Sequence, residues 1–227
     1  DVMYVGARTG VGGTRRRWLG RRVAELVKSI HDDPDKGRVL ESILELLLFS
    51  GQYFLLPETA DSDFLESIRE FGRDPIGADL RGWKLGFRKP ASHAIVPFDH
   101  LSTGEQQILL LVAKLVAHAA WEVLFFVDEP ETSLHVGWQR ALPSVFEKVS
   151  QRFRCQIVIA THSPVLISTA RGAENYCFKA GGGVLELIDE RAASSVERVL
   201  FQGFNTYTDN NREVHERCAE LVSDAIG

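Results

Sequence analysis

An unbroken apolar run, Val123-Leu-Phe-Phe-Val127, ends abruptly in two acids, Asp128 and Glu129. No polar residue interrupts it, so neither face of a strand built from it suits water. That is the pattern of a central strand in a parallel sheet, with helices covering both faces. A second apolar stretch, Gln156 to Ala160, ends in another polar cluster, Thr161-His162-Ser163. Between them, residues 137–153 read as an amphipathic helix. Strand, helix and strand make a βαβ unit. Ligands of such sheets bind beyond the carboxyl ends of the strands, where both polar clusters lie. The expected fold class is α/β, with a mainly parallel sheet flanked by helices.

The bulk properties exclude several classes. The 227 residues suit one large domain or a domain and a half, and 44% of them are apolar, enough for a sizeable core. No stretch approaches the about 18 apolar residues of a transmembrane helix, so no membrane partner is expected. Asp1 to Tyr4 lacks the basic and apolar regions of a signal peptide, and Met3 in third place reads as a trimmed start. A net charge of -5 is not a nucleic-acid-binding composition overall, although it leaves room for a local basic groove. Cys155, Cys177 and Cys218 lie far apart with no CxxC pair. That argues against a zinc site or a disulfide framework and fits a reducing cytoplasm.

Three regions follow from the pattern. Residues 1–97 hold a short strand (Val2 to Val5), a glycine-rich turn, two helices and a variable insertion. The helices are expected over 15–30 and 38–50, with a loop from His31 to Gly37. Residues 51–97 are punctuated by Pro57, Pro75, Pro90 and Pro97 and include strand-like Trp83 to Phe87; helical structure is expected within this insertion region. Residues 98–190 are the core, with a buried helix over 103–120. Residues 191–227 form a C-terminal tail with a helix from about Arg212. A further strand is expected at Val184 to Ile188.

Four motifs occur in order. Leu101-Ser-Thr-Gly-Glu-Gln106 stands at the start of the buried helix, where Ser102 offers a hydroxyl and Gly104 lets backbone approach closely. A helix N-terminus at that place favours a phosphate. The string resembles the signature of ABC-type ATPases, usually written LSGGQ. Val123 to Pro130 resembles their Walker B strand, Glu131-Thr-Ser-Leu-His135 their D-loop, and Thr161-His162-Ser163-Pro164 their switch-histidine region. His162 follows Glu129 by 33 residues. The form DEPETSLH is typical of soluble ABC ATPases related to SMC, RecF and the OLD nucleases; transporter subunits read closer to DEPTSALD.

The resemblance covers residues 98–168 firmly. It implies ATP and Mg²⁺ as cofactors, with Asp128 holding the metal directly or through water. Glu129 is then the base that polarises the attacking water, and His162 senses the γ-phosphate. Ser102, Thr103, Gly104, Glu105 and Gln106, with Ser133 of the D-loop, are the implied nucleotide-binding residues, facing ATP held by the opposite subunit. The implied assembly is a head-to-tail homodimer, or a higher oligomer, closed through an ATP sandwich. Its ATP state would control a DNA-directed activity in repair or antiviral defence. About 60 residues follow His162, without the acid cluster of a Toprim nuclease. A separate nuclease partner is therefore expected, as in the ATPase subunit of Septu-like defence systems, with DNA as a candidate ligand. A nucleotide-sensing scaffold without turnover is the alternative. A transporter ATPase subunit is disfavoured by the D-loop form.

The phosphate-binding half of the pattern is missing or degenerate. No G-x-x-x-x-G-K-[ST] string occurs. The nearest, Ala7-Arg-Thr-Gly-Val-Gly-Gly13-Thr14, has Ala7 for the first glycine and Gly13 for the lysine. The favoured reading is that residues 1–14 are a strand and loop from later in the domain, with the true phosphate loop upstream or on a separate chain. The Q-loop glutamine has only Gln52 as a candidate. The basic run Arg15, Arg16, Arg17, Arg21 and Arg22 reads as a solvated helix face or a nucleic-acid contact. His31, His93, His100, His118, His135 and His215 show no ligand spacing and read as structural.

Overall fold

The computed structural model describes residues 2–6, 13–49, 51–57, 69–70, 80, 82–91, 94–170, 174–189, 195–204, 206, 218–219 and 221–224. They divide into two units, Asp1–Thr161 and His162–Gly227.

In the first unit, the Walker B-like run forms β6 (Leu124–Asp128), the middle strand of a three-stranded parallel sheet. Its neighbours are β1 (Val2–Gly6) and β7 (Gln156–Ala160). The register pairs Asp128 with both Gly6 and Ala160, so three carboxyl ends finish level. The crossover from β6 to β7 is α4 (Val136–Phe153), as the alternating pattern predicts. Phe125 and Val127 are buried on one face. Phe126 is 38% and Val158 49% exposed, so among the described residues the helices cover the side of Phe125 more fully than the other.

Helix α3 (Thr103–His118) explains the missing polar face of its sequence. It packs against α1 (Gly13–His31), α2 (Pro34–Leu46), α4 and β1, and is buried almost all round. The loop expected from His31 to Gly37 is much shorter than that. Asp33 caps α2 by accepting from the N–H groups of Asp35 and Lys36, and Pro34 supplies the preset φ of the first helical position.

Within 51–97 the described residues are strands and turns, and the remainder of the region where helical structure is expected lies outside the described residues. An antiparallel sheet runs in the order β3 (Arg69–Glu70), β2 (Tyr53–Pro57), β4 (Trp83–Arg88), β5 (Ile95–Pro97). Tyr53, Phe54, Leu55, Leu56, Leu85 and Phe87 bury on it, since β-branched residues are not required where aromatic and leucine side chains fill a covered sheet. A short 3-10 turn (Phe98–His100) leads into α3.

The second unit holds α5 (Pro164–Thr169), an antiparallel hairpin of β8 (Phe178–Gly181) and β9 (Val184–Leu187), and α6 (Val196–Arg198), which runs on into a π turn over Val199–Gly203. Strand β8 is an addition to the sequence expectation. The C-terminal tail is helical at the described residues 218–219 and 221–224. No described helix is long and apolar enough to cross a membrane.

The cap on α2 is testable. Asp33→Ala is expected to cost about 1 kcal/mol, the usual worth of an N-cap, read as a lower urea midpoint at unchanged slope. An unmoved midpoint would show that the Asp33 carboxylate contributes nothing to the helix.

Candidate functional site

The site is built where chain leaves β6. Asp128 is the last residue of the strand and is solvent-facing. Glu129 then adopts φ +44°, a left-handed conformation that costs a side-chain-bearing residue about 1 kcal/mol or more. Its N–H donates to the Ala160 carbonyl at 2.8 Å, carrying the ladder to β7 one step beyond the strand. The carbonyls of Glu129 and Glu131 then accept from the N–H groups of Thr132 and Leu134 at 3.1 and 3.0 Å. These bonds hold the turn tight. A second left-handed residue, Ser133, has φ +65°. Two such residues within five positions mark a backbone determined by its surroundings rather than by local preference.

The signature-like turn lies against this loop. Ser102 is the N-cap of α3: its Oγ accepts the Glu105 N–H at 3.3 Å, and the Glu105 carboxylate accepts the Ser102 N–H at 2.8 Å. This is a complete capping box, legible in the sequence as Ser102 followed three residues later by Glu105. Gly104 is buried. A Cβ placed on it would lie 2.6 Å from the Ser133 carbonyl oxygen and 3.3 Å from the Trp138 ring. The structure thus brings Gly104, in the first turn of α3, against Ser133.

Gln106 faces elsewhere. It is buried, and its Nε2 donates to the carbonyls of Phe98 and Leu101 at 3.0 and 3.2 Å, bracing the turn that enters α3. His135 caps α4, accepting the Trp138 N–H on Nδ1 at 3.3 Å, and its ring lies 4.0 Å from the Trp138 ring. That agrees with its structural reading. Trp138 also donates Nε1–H to the Leu47 carbonyl at 3.3 Å, tying the loop to α2.

His162 opens the second unit, two residues past the end of β7, and its side chain is exposed. Ser163 beside it is buried and caps α5 through the Leu166 N–H at 3.1 Å. The glycine-rich loop over 7–12, weighed above as a degenerate phosphate loop, lies outside the described residues, as do the side chains of Arg15, Arg16 and Arg17. Gly13 and Thr14 belong to the first turn of α1. Arg21 and Arg22 are exposed, and Arg22 pairs with Glu25 at 3.4 Å. The Gln52 carbonyl accepts from the Arg88 N–H at 3.4 Å, ahead of β2.

One contact escaped the sequence reading. Lys89, just past β4, places its ammonium on Glu105 and lies 5.2 Å from the centroid of the Phe49 ring. Burial lowers its pKa below the ordinary lysine value, while a carboxylate against it works the other way. No motif spacing announces such a contact between distant segments.

Metal fit is limited to one carboxylate. Among the described residues no three His, Cys, Asp or Glu side chains cluster. Asp128, acidic and solvent-facing, suits Mg²⁺, which keeps most of its waters and takes one or two carboxylates beside phosphate oxygens. A cleft of about 240 Å³ lies between α2 and α4 instead, lined by Asp35, Arg38, Val39, Ser42, Lys148 and Arg152, and it contains none of the motif residues. There the Arg38 guanidinium, and then that of Arg152, hold the Asp35 carboxyl below its usual range.

A family model described as "AAA domain, putative AbiEii toxin, Type IV TA system" matches residues 16–168. No curated protein is significantly similar to the chain. Among solved structures, one from work on ATP-driven dimerization and DNA-stimulated activation of SMC ATPases is 14% identical, with a TM-score of 0.39 over 59% of this chain and 80% of that one. Another, an SMC head bound to the C-winged helix domain of ScpA, is 13% identical, with a TM-score of 0.38 over 79% of this chain and 46% of that one.

The Gly104 contact makes a prediction. Gly104→Ala gains about 1 kcal/mol of helix propensity but drives a methyl group into backbone, at about 1–3 kcal/mol. The variant should therefore be less stable by chemical denaturation. A midpoint at or above that of the wild type would mean that the loop at Ser133 yields freely.

Proposed function

The chain belongs to the family of AAA domains to which that match assigns it, with a P-loop-NTPase-like fold and nucleotide binding as its common property, and from this premise we propose that it is an ABC-type ATPase. ATP and Mg²⁺ bind at a head-to-tail dimer interface, and the nucleotide state controls a DNA-directed activity carried out by a separate nuclease partner, as in Septu-like antiviral defence.

The observation that carries the reading is the packing of Gly104 on Ser133. It supports treating the signature-like turn and the D-loop-like turn as one surface, continuous in the chain with Asp128 and Glu129. On this reading Asp128 holds Mg²⁺ and Glu129 takes the proton of the attacking water. Ser102 and the first amides of α3 meet the γ-phosphate of ATP bound by the other subunit, with Thr103, Gly104, Glu105, Gln106 and Ser133 shaping that turn. The resemblance of Thr161-His162-Ser163-Pro164 to a switch-histidine region supports His162 as the sensor of the γ-phosphate. When bound, Mg²⁺ would supply charge neutralisation. What the chain itself supplies is orientation: Glu129 follows β6 directly in a left-handed turn, and the capping box fixes Ser102.

Glu129→Gln is expected to bind Mg-ATP, to accumulate as an ATP-dependent dimer on size exclusion, and to release phosphate at least about a hundredfold more slowly, as loss of a general base does. A variant that turned over at the wild-type rate would remove Glu129 from that role. Absence of Mg-ATP binding by the wild-type chain in calorimetry would instead favour a scaffold whose phosphate loop is supplied elsewhere.

A further inference from the structure

Glu105 creates an electrostatic problem at the start of α3. One of its oxygens accepts the Ser102 N–H at 2.8 Å, and the Ser102 hydroxyl accepts the Glu105 N–H in return. The box satisfies two amides the helix would otherwise leave open. It also fixes a negative charge on the same turn that is proposed to meet an ATP phosphate. A carboxylate there opposes the attraction that the helix N-terminus has for an anion.

Lys89 meets that charge from another part of the fold. The hairpin between β4 and β5 sets its backbone, with the Lys89 N–H donating to the Ala94 carbonyl at 2.9 Å. Its ammonium contacts the second Glu105 oxygen, leaving the first on Ser102. The Phe49 ring lies beneath the ammonium, and Phe87 braces Phe49 edge-on at 5.8 Å between centroids. The side chains of Lys89 and Glu105 are only 29% and 14% exposed. The pair is therefore shielded more than an exposed surface ion pair, and removing one partner leaves a charge poorly compensated by water.

We infer that Lys89 is a positioning residue for the signature-like turn, neutralising Glu105 so that Ser102 and the first amides of α3 face the ATP phosphate without an opposing charge. The inference rests on the ATPase reading above and extends it, because Lys89 belongs to no motif and joins the antiparallel sheet to the nucleotide surface.

A purely structural anchor would behave differently, and Glu105 tells the two apart. Glutamine at the third helical position keeps a capping box without its charge. Lys89→Met keeps an unbranched apolar stem against Phe49 but leaves the carboxylate uncompensated. The experiment measures Mg-ATP turnover and ATP-dependent self-association of the full chain, with a urea midpoint for each protein, in the wild type, K89M, K89R and the double variant K89M/E105Q. Turnover of K89M should fall about tenfold, as for truncation of one partner of a shielded charge pair. K89R should retain most of the rate. K89M/E105Q should run several-fold faster than K89M although it too lacks the ion pair. K89M at the wild-type rate overturns the inference alone. A double variant as slow as K89M overturns it in favour of a structural anchor. A wild-type chain without turnover overturns the ATPase reading, and this inference with it.

Discussion

Between Gly104 and the Ser133 carbonyl there is no space for a methyl group, and much of the first unit is arranged around that closeness. The contact joins the first turn of α3 to the loop that follows β6. Helix α3 is held on its other sides by α1, α2 and α4, so it cannot easily retreat. The loop cannot retreat either, because it starts at the fixed end of a strand paired on both sides. A close backbone approach is thus trapped between two rigid elements, and only glycine fits there.

The same constraint accounts for the backbone of the loop. Glu129 and Ser133 both adopt left-handed conformations. The loop must turn sharply away from β7 after one further hydrogen bond to Ala160 and then run beneath the start of α3. Strain of this kind persists where surrounding contacts over-determine the path. The Trp138 indole, donating to the Leu47 carbonyl, and the Gln139 amide, donating to the Leu134 carbonyl at 3.0 Å, are two of those contacts. The result is a tight turn on a preset backbone directly after Asp128.

Electrostatics at the start of α3 follow from two segments with no sequence relation. A capping box is a local device, and its charge is the by-product of using glutamate rather than glutamine. Lys89 arrives from a hairpin in a different sheet to stand against that glutamate. A residue just past β4 of the antiparallel sheet therefore contacts the signature-like turn, although that sheet carries none of the motifs.

The sequence by itself determined the elements whose signal is local. The apolar run into Asp128, the run from Gln156 to Ala160 and the helix between them fall where expected, within a residue or two, because an apolar run ending in polar residues and an amphipathic period are signals carried within each segment. The capping box at Ser102 and Glu105 also has a local signal, a spacing of three along one chain, although in the sequence Ser102 reads only as a hydroxyl at a helix start. Tertiary structure decided the rest. That Gln106 turns inward onto Phe98 and Leu101, that β1 lies beside β6 with Gly6 level with Asp128, and that β2, β3, β4 and β5 pair into one antiparallel sheet are outcomes of pairing between distant segments. Their energies come from contacts across the fold, and no periodicity within a single segment encodes which distant partner it will meet.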